Sequence, residues 1–208
     1  MKKLRSQFEV RPITMTILLF ALYTGCFFLT EQINTRDAVT LHCFIDDLIP
    51  FSRYAVLPYC LWFIDMPATL LFMYLRKDRD DFFDAVMTCH LCMICALPIY
   101  LLFPTQLDLR PASVPGNDLF SIWTRFIYTV DNSKNVCPSL HVAVSYLMAR
   151  DWLKYGDRRQ GMFMPGLNII ICISTLFLKQ HSFIDVIGGV LWAIFIETVY
   201  DHFLSPNR

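Results

Sequence analysis

Two short segments toward the C-terminal end of this 208-residue chain hold the residues best suited to chemistry. One is Cys137-Pro138-Ser139-Leu140-His141; the other is Lys179-Gln180-His181-Ser182-Phe183-Ile184-Asp185. Each sets a histidine at the mouth of a long apolar stretch. A histidine is an effective nucleophile when a carboxylate holds its other ring nitrogen, because that bond fixes the tautomer and stabilises the cation formed on attack. Asp185 lies four residues beyond His181, on the same face if the segment is helical. A carboxylate at the head of an apolar helix also needs a partner, and His181 is the nearest one. The alternative without chemistry is a polar helix cap made of the same two residues. His141 follows Pro138-Ser139, which predicts a helix start with a hydroxyl near the N-cap and unsatisfied N–H groups in the first turn. Such an end binds anions. A histidine beside it can protonate a departing alkoxide and then activate water, unless it is an interfacial histidine with no role. A phosphoryl group in transit also needs cations. Arg110 has the planar fork that suits bidentate contact with phosphate oxygens, and Lys179 is a second donor two residues before His181. Lys134 and Arg125, in the same loop, could also contribute, though they read first as solvated loop charges. Asp108 either orients Arg110 or fills an ordinary turn.

The elements that must position these residues are apolar. The chain is 55% hydrophobic with a mean hydropathy of +0.44, beyond an ordinary soluble domain. Apolar runs at 13–30, 55–75, 85–103, 139–153, 162–178 and 183–204 predict an all-α, polytopic membrane bundle of about six transmembrane helices in one domain, 1–208. Most of the runs approach the ~20 residues that cross a bilayer; the run at 139–153 is short and mixed and must lean on its neighbours. The first run is read as a retained helix: Gly25-Cys26 has Tyr23 where a lipoprotein cleavage site wants a small aliphatic residue. The long link 104–138 is predicted to cover the site, with Trp123 and Phe126 in an amphipathic stretch, 119–128, along the membrane surface.

Basic residues set the orientation. Lys2, Lys3, Arg5 and Arg11, then Arg76, Lys77 and Arg79, then Arg150, Lys154, Arg158 and Arg159 fall on one side, predicted cytoplasmic. The opposite side has Arg36, Arg53, Arg110, Arg125, Lys134 and Lys179, fewer cations per residue, together with both histidine segments. The site is therefore expected on the non-cytoplasmic face. Eighteen basic and eighteen acidic residues balance to zero net charge, which argues against a nucleic-acid partner. Six of the eight cysteines lie inside apolar runs, so no disulfide framework is read; Cys43 and Cys137, in loops on the site's side, are the pair that could join. Cys89-x-x-Cys92-x-x-Cys95 beside His90 has metal-like spacing, yet on a membrane helix it reads as small packing residues. Asp65, His90 and Glu197 lie within apolar runs, either partnered between helices or marking a polar pathway.

Together the histidine segments and the arginine loop resemble the type 2 phosphatidic acid phosphatase superfamily of membrane enzymes, known by a Lys/Arg-Pro segment, a Pro-Ser-x-His segment and a Ser-Arg…His-x-x-x-Asp segment. The second is complete here as Pro138-Ser139-Leu140-His141. The third keeps Ser174, His181 and Asp185 but has Thr175 at the arginine position, with Lys179 one helical turn later as the replacement cation. The first keeps Arg110-Pro111 and has Phe103 at the lysine position. Phe103-Pro104-Thr105, Pro-Ser-Leu-His and the segment Asp46-Asp47-Leu48-Ile49-Pro50-Phe51 look most like the inositol-phosphotransferase branch, which includes inositol phosphorylceramide synthases. The resemblance spans about 46–189. It implies His181 as nucleophile, Asp185 as its orienter and His141 as general acid and base. It implies Arg110, Lys179 and Ser139 as holders of the phosphoryl oxygens, with no metal and no organic cofactor.

The leading expectation is a membrane lipid-phosphate phosphatase that works through a phosphohistidine, with a lipid phosphate and the bilayer as its partners. A phosphotransferase moving a head group between lipids uses the same residues, since the two reactions differ only in which hydroxyl reaches the intermediate. A catalytically silent lipid-binding or lipid-moving protein is the reading from a different class. The residues leave the lipid and the oligomeric state open.

Overall fold

The computed structural model describes residue 6, residues 9–33 and residues 37–204. Lys2, Lys3, Arg5 and Arg36, used above for orientation, lie outside the described residues. The chain runs α1 (Pro12–Ile33), β1 (Val39–Thr40), α2 (Phe44–Leu48), a 3-10 turn (Arg53–Ala55), α3 (Val56–Arg76), α4 (Arg79–Ile94), α5 (Leu97–Leu102), β2 (Thr105–Gln106), α6 (Leu119–Val130), α7 (Leu140–Tyr155), α8 (Gln160–Phe177), α9 (Phe183–Val199) and a closing π-helical turn (Tyr200–Leu204). The predicted all-α bundle is what forms. Among the described residues the one sheet is a two-residue parallel pairing, Val39 with Thr105 and Thr40 with Gln106.

Among the described residues five helical stretches are long and apolar enough to cross a membrane: Pro12–Thr30, Arg53–Arg76, Arg79–Leu102, Gln160–Phe177 and Phe183–Leu204. The sixth predicted span, 139–153, is α7, and it falls short. Its 16 residues measure ~24 Å, and it carries Arg150, Asp151 and Lys154. The physical reason is its place in the bundle. α7 packs against α3, α4, α8 and α9, and Val142, Ala143, Val144, Leu147 and Met148 are buried among them. A helix ringed by others needs little lipid-compatible surface. The run at 85–103 also differs from its prediction. The helix begins earlier, at Arg79, and breaks after Ile94, resuming at Leu97 with Pro98 in its first turn, where a missing N–H costs nothing.

The cysteine-rich face of α4 is packing surface: Cys89 and Cys92 are buried in the main core with Phe83, Val86 and Met93. All eight cysteines are free thiols, Cys43 and Cys137 included. α6 has its N-cap at Asp118, whose carboxylate accepts from the Phe120 and Ser121 N–H groups at 3.1 and 3.2 Å. Its apolar side chains Leu119, Ile122, Trp123 and Phe126 point outward, while Ser121, Thr124 and Ile127 face the bundle.

Candidate active site

The two histidine segments converge because two helix starts lie against each other. α7 begins as predicted, with Ser139 as N-cap accepting from the Val142 N–H at 3.3 Å. α9 begins with Ser182 as N-cap and Asp185 in its first turn. The Ser139 N–H donates directly to the Asp185 carbonyl oxygen at 3.2 Å, so one motif is stitched to the other through the backbone. That approach depends on Gly189. A Cβ there would lie 2.5 Å from the Ser139 carbonyl oxygen and 3.0 Å from Val142 Cβ.

His181 lies just before α9 rather than on it. Its Nδ1 is 2.9 Å from Asp185 Oδ2, and Ser182 Oγ donates to Asp185 Oδ1 at 3.2 Å. The pair is thus built across a helix N-cap, where first-turn N–H groups favour a carboxylate, and not along a helix face as the spacing suggested. Asp185 is fully buried and His181 is 8% exposed. With Nδ1 bound to the carboxylate, Nε2 is the nitrogen available for attack. The His141 ring centroid is 5.6 Å from that of His181. It lies between Tyr59 and Trp62 of α3, at 4.5 and 4.6 Å between centroids. Its Nε2 is buried without a hydrogen-bond partner among the described residues. Both histidines border a cavity of about 450 Å³.

The predicted cations are placed differently. The Lys179 ammonium donates to the carbonyl oxygens of Asp46 and Ile49 at 2.7 and 2.6 Å. It does not line the histidine cavity. Lys179 has φ +57° just after the α8 C-cap, Leu178, a left-handed conformation that usually favours glycine. The anchored ammonium holds a lysine there instead. Arg110 is similarly committed. Nη1 donates to the Tyr128 carbonyl at 3.3 Å, Nη2 donates to the Asp131 carbonyl at 2.7 Å and to Gln180 Oε1, and the guanidinium lies 4.3 Å over the Tyr128 ring. Burial pulls the Arg110 guanidinium below its ordinary value, partly offset by Asp131, and burial pushes the Tyr128 hydroxyl up to about 12. Arg110 therefore grips the residue next to His181. Asp108 does not orient it; Asp108 pairs with His42 at 3.3 Å. Arg125, read as a solvated charge, clasps its own loop through the Val114 and Gly116 carbonyls, each at 2.9 Å.

Several residues that hold the site carried little or no signal. Asp46 is 2% exposed and accepts from the Phe183 N–H at 2.7 Å and the Cys43 N–H at 2.9 Å. It braces the start of α9 from behind; the family resemblance marked its segment without indicating a task. Tyr59 donates to Asp131 Oδ2 at 2.5 Å and, with Trp62, cradles His141. Nothing in a run of apolar helix residues distinguishes these two. The adjacent Gly188-Gly189 pair was the one visible hint of a close helix approach. Of the apolar-run polar residues, Glu197 pairs with Arg150 at 3.3 Å. Asp65 and His90 are buried, each with one side-chain atom lacking a partner among the described residues.

A membrane-embedded helical bundle with a His–Asp pair and a second histidine at one end is the class of protein that fold and geometry define. The profile of the PAP2 superfamily matches residues 27–199, and the chain belongs to that superfamily, one of phosphatases and phosphotransferases. It is an integral membrane protein. No curated protein and no solved structure matches the chain.

Proposed function

We propose that this protein is a membrane lipid-phosphate phosphatase acting through a phosphohistidine. One observation carries the reading: His181 is bonded to the buried Asp185 at 2.9 Å with the His141 ring 5.6 Å away, and both histidines open on one cavity. His181 Nε2 attacks phosphorus while its Nδ1 proton stays on the hydrogen bond to Asp185, which stabilises the imidazolium that develops. The P–O bond to the lipid breaks, and the departing alkoxide takes a proton from His141. His141, now neutral, accepts a proton from water as that water attacks the phosphohistidine, releasing phosphate and restoring His181. The first-turn N–H groups behind Ser139 are suited to the phosphoryl oxygens. Every proton the two steps require is held by His141, Asp185-bound His181 or water, so the chain's own residues suffice for this scheme without a metal or organic cofactor.

The walls of the cavity support a lipid substrate. Beyond the histidines it is bounded by Phe20, Phe27, Phe63 and Met66. A second, almost wholly apolar cavity of about 480 Å³ shares Phe20, Thr24 and Met66 with it. The two form one crevice between α1 and α3 that suits a hydrocarbon tail. In this reading the active site faces the non-cytoplasmic side, opposite Arg76, Lys77, Arg150 and Lys154.

The test is phosphate release by the detergent-purified protein from a panel of lipid phosphates in EDTA, beside His181→Ala. Release that survives EDTA and is lost in the variant is expected. If release is absent while a phospholipid donor and an alcohol acceptor give a new head group, the phosphotransferase of the inositol phosphorylceramide synthase kind replaces this reading. Silence in both assays leaves a lipid-binding protein.

A further inference from the structure

Of the cations the family pattern wants, this chain keeps Arg110 and offers Lys179 as a replacement; the Lys179 ammonium and both terminal nitrogens of Arg110 are spoken for, and only Arg110 Nε has no partner among the described residues. Two carbonyls hold the Lys179 ammonium, and Tyr128, Asp131 and Gln180 hold the Arg110 guanidinium. A phosphate drawn in between His141 and His181 carries negative charge, and neither of these cations lines the cavity that both histidines border. Among the described residues that line the histidine cavity there is one lysine and no arginine, and the lysine is Lys134.

Lys134 is not a floppy surface charge. It belongs to the loop between α6 and α7, which is fastened to β2 along its length. The Leu107 N–H donates to the Ser133 carbonyl at 2.9 Å, and the Asn135 N–H donates to the Thr105 carbonyl at 2.7 Å. Thr105 Oγ1 accepts from the Val136 and Cys137 N–H groups, both at 3.1 Å. The Lys134 N–H itself donates to Asn132 Oδ1 at 2.8 Å. Asn135 takes φ +56°, which an asparagine tolerates in a tight turn. The backbone is thus held on both sides of Lys134, while its side chain is exposed and makes no ion pair among the described residues. A fixed backbone with a free ammonium on a cavity wall is the arrangement a phosphate-binding lysine needs, since the ammonium acts as a mobile point charge on a flexible stem.

We propose that Lys134 is the cation that binds the transferring phosphoryl group in this chain, in place of Lys179, whose ammonium instead secures the loop beneath His181. The inference rests on the phosphoryl-transfer reading given above, and the experiment separates the two. Lys134→Ala and Lys134→Arg are compared with the parent, with His181→Ala and with Lys154→Ala, a lysine at the other end of α7. Two readouts are taken: kcat/KM on a lipid phosphate that the parent hydrolyses, and the thermal shift produced by inorganic vanadate, which needs no turnover. Lys134→Ala should lower kcat/KM about a hundredfold, the scale of one lost charge-stabilising group, and should lose the vanadate shift. Lys134→Arg should restore most of both, and Lys154→Ala should match the parent. A Lys134→Ala protein within twofold of the parent in kcat/KM, or one that keeps the vanadate shift, overturns the proposal, as does a parent that vanadate does not stabilise. A parent that is shifted by vanadate through Lys134 but turns over no lipid phosphate would sink the phosphatase reading and leave the anion site standing.

Discussion

The two ends of the bundle handle charge in opposite ways. At one end Arg150 donates to Asp151 Oδ1 through Nε and Nη2 at 3.0 and 2.7 Å and reaches Glu197 at 3.3 Å. There Tyr155 donates to Asp81 at 3.1 Å and Tyr200 to Asp84 at 2.7 Å. Acids, cations and phenols there pair around a cavity of about 320 Å³, with Asp151 Oδ2 left without a hydrogen-bond partner among the described residues. At the other end the His181–Asp185 pair is also satisfied, but His141 Nε2 is left without a partner and Lys134 without a counter-charge among the described residues. Unmet hydrogen-bonding and charge capacity is costly in a fold. The difference lies in kind: the unmet groups at the histidine end are an imidazole nitrogen and an ammonium on one cavity, suited to an anion, whereas the unmet atom at the other end is a carboxylate oxygen.

The comparison breaks most sharply at His181, the proposed nucleophile. His181→Ala should reduce turnover by a thousandfold or more, on the order of losing the central member of a catalytic set, while thermal stability in detergent stays near the parent's. A mutant that keeps a tenth of the activity would mean that His181 only caps α9. Arg150→Met should do the reverse. It strands Asp151, 1% exposed, and removal of one partner of a buried pair costs about 3–5 kcal/mol; the folded fraction should drop in thermal unfolding, while KM of the surviving protein is unchanged. An altered KM would show that the two ends are coupled.

Smaller effects sharpen the picture at the active end. Asp46→Ala leaves the Phe183 and Cys43 N–H groups without their acceptor, at about 1–3 kcal/mol for each donor left buried. Turnover should fall together with melting temperature, because the brace under His181 loosens. Full activity in a destabilised protein would show that the brace is not transmitted to the histidine. The smallest expected effect concerns Cys137, beside the Ser139 cap. Burial pushes its thiol up to about 11. The thiolate is the reactive form, so a pKa raised from 9.0 lowers the thiolate fraction at pH 8 about a hundredfold. Alkylation followed by mass spectrometry should show slow labelling at pH 8 that accelerates as pH rises toward 11. Rapid labelling at pH 8 would indicate that the wall around the cap opens readily.

Much of this was legible in the chain because the signals were local. Apolar runs bounded by charged links predict membrane helices, since the bilayer imposes a minimum length and an apolar surface. Pro138-Ser139 predicts a helix start because a cap is satisfied within three residues. His181 and Asp185 are close in sequence, and their pairing needs only one turn of backbone. What failed was equally physical. α7 was expected among the spans by its apolar side chains, yet its burial by four neighbours released it from the length and composition that lipid demands.

The residue types and short spacings therefore determined the helices, the caps, the His–Asp pair and the kind of chemistry they suit. The tertiary structure decided which cations lie beside the histidines. A lysine two residues from His181 looks near in sequence, but a left-handed turn after α8 swings Lys179 onto the carbonyls of Asp46 and Ile49. Lys134, 47 residues away, is brought onto the cavity wall by β2 pinning its loop through Thr105. Proximity along the chain is set by covalent bonds, whereas the direction of a long charged side chain is set by the acceptors the fold places around it.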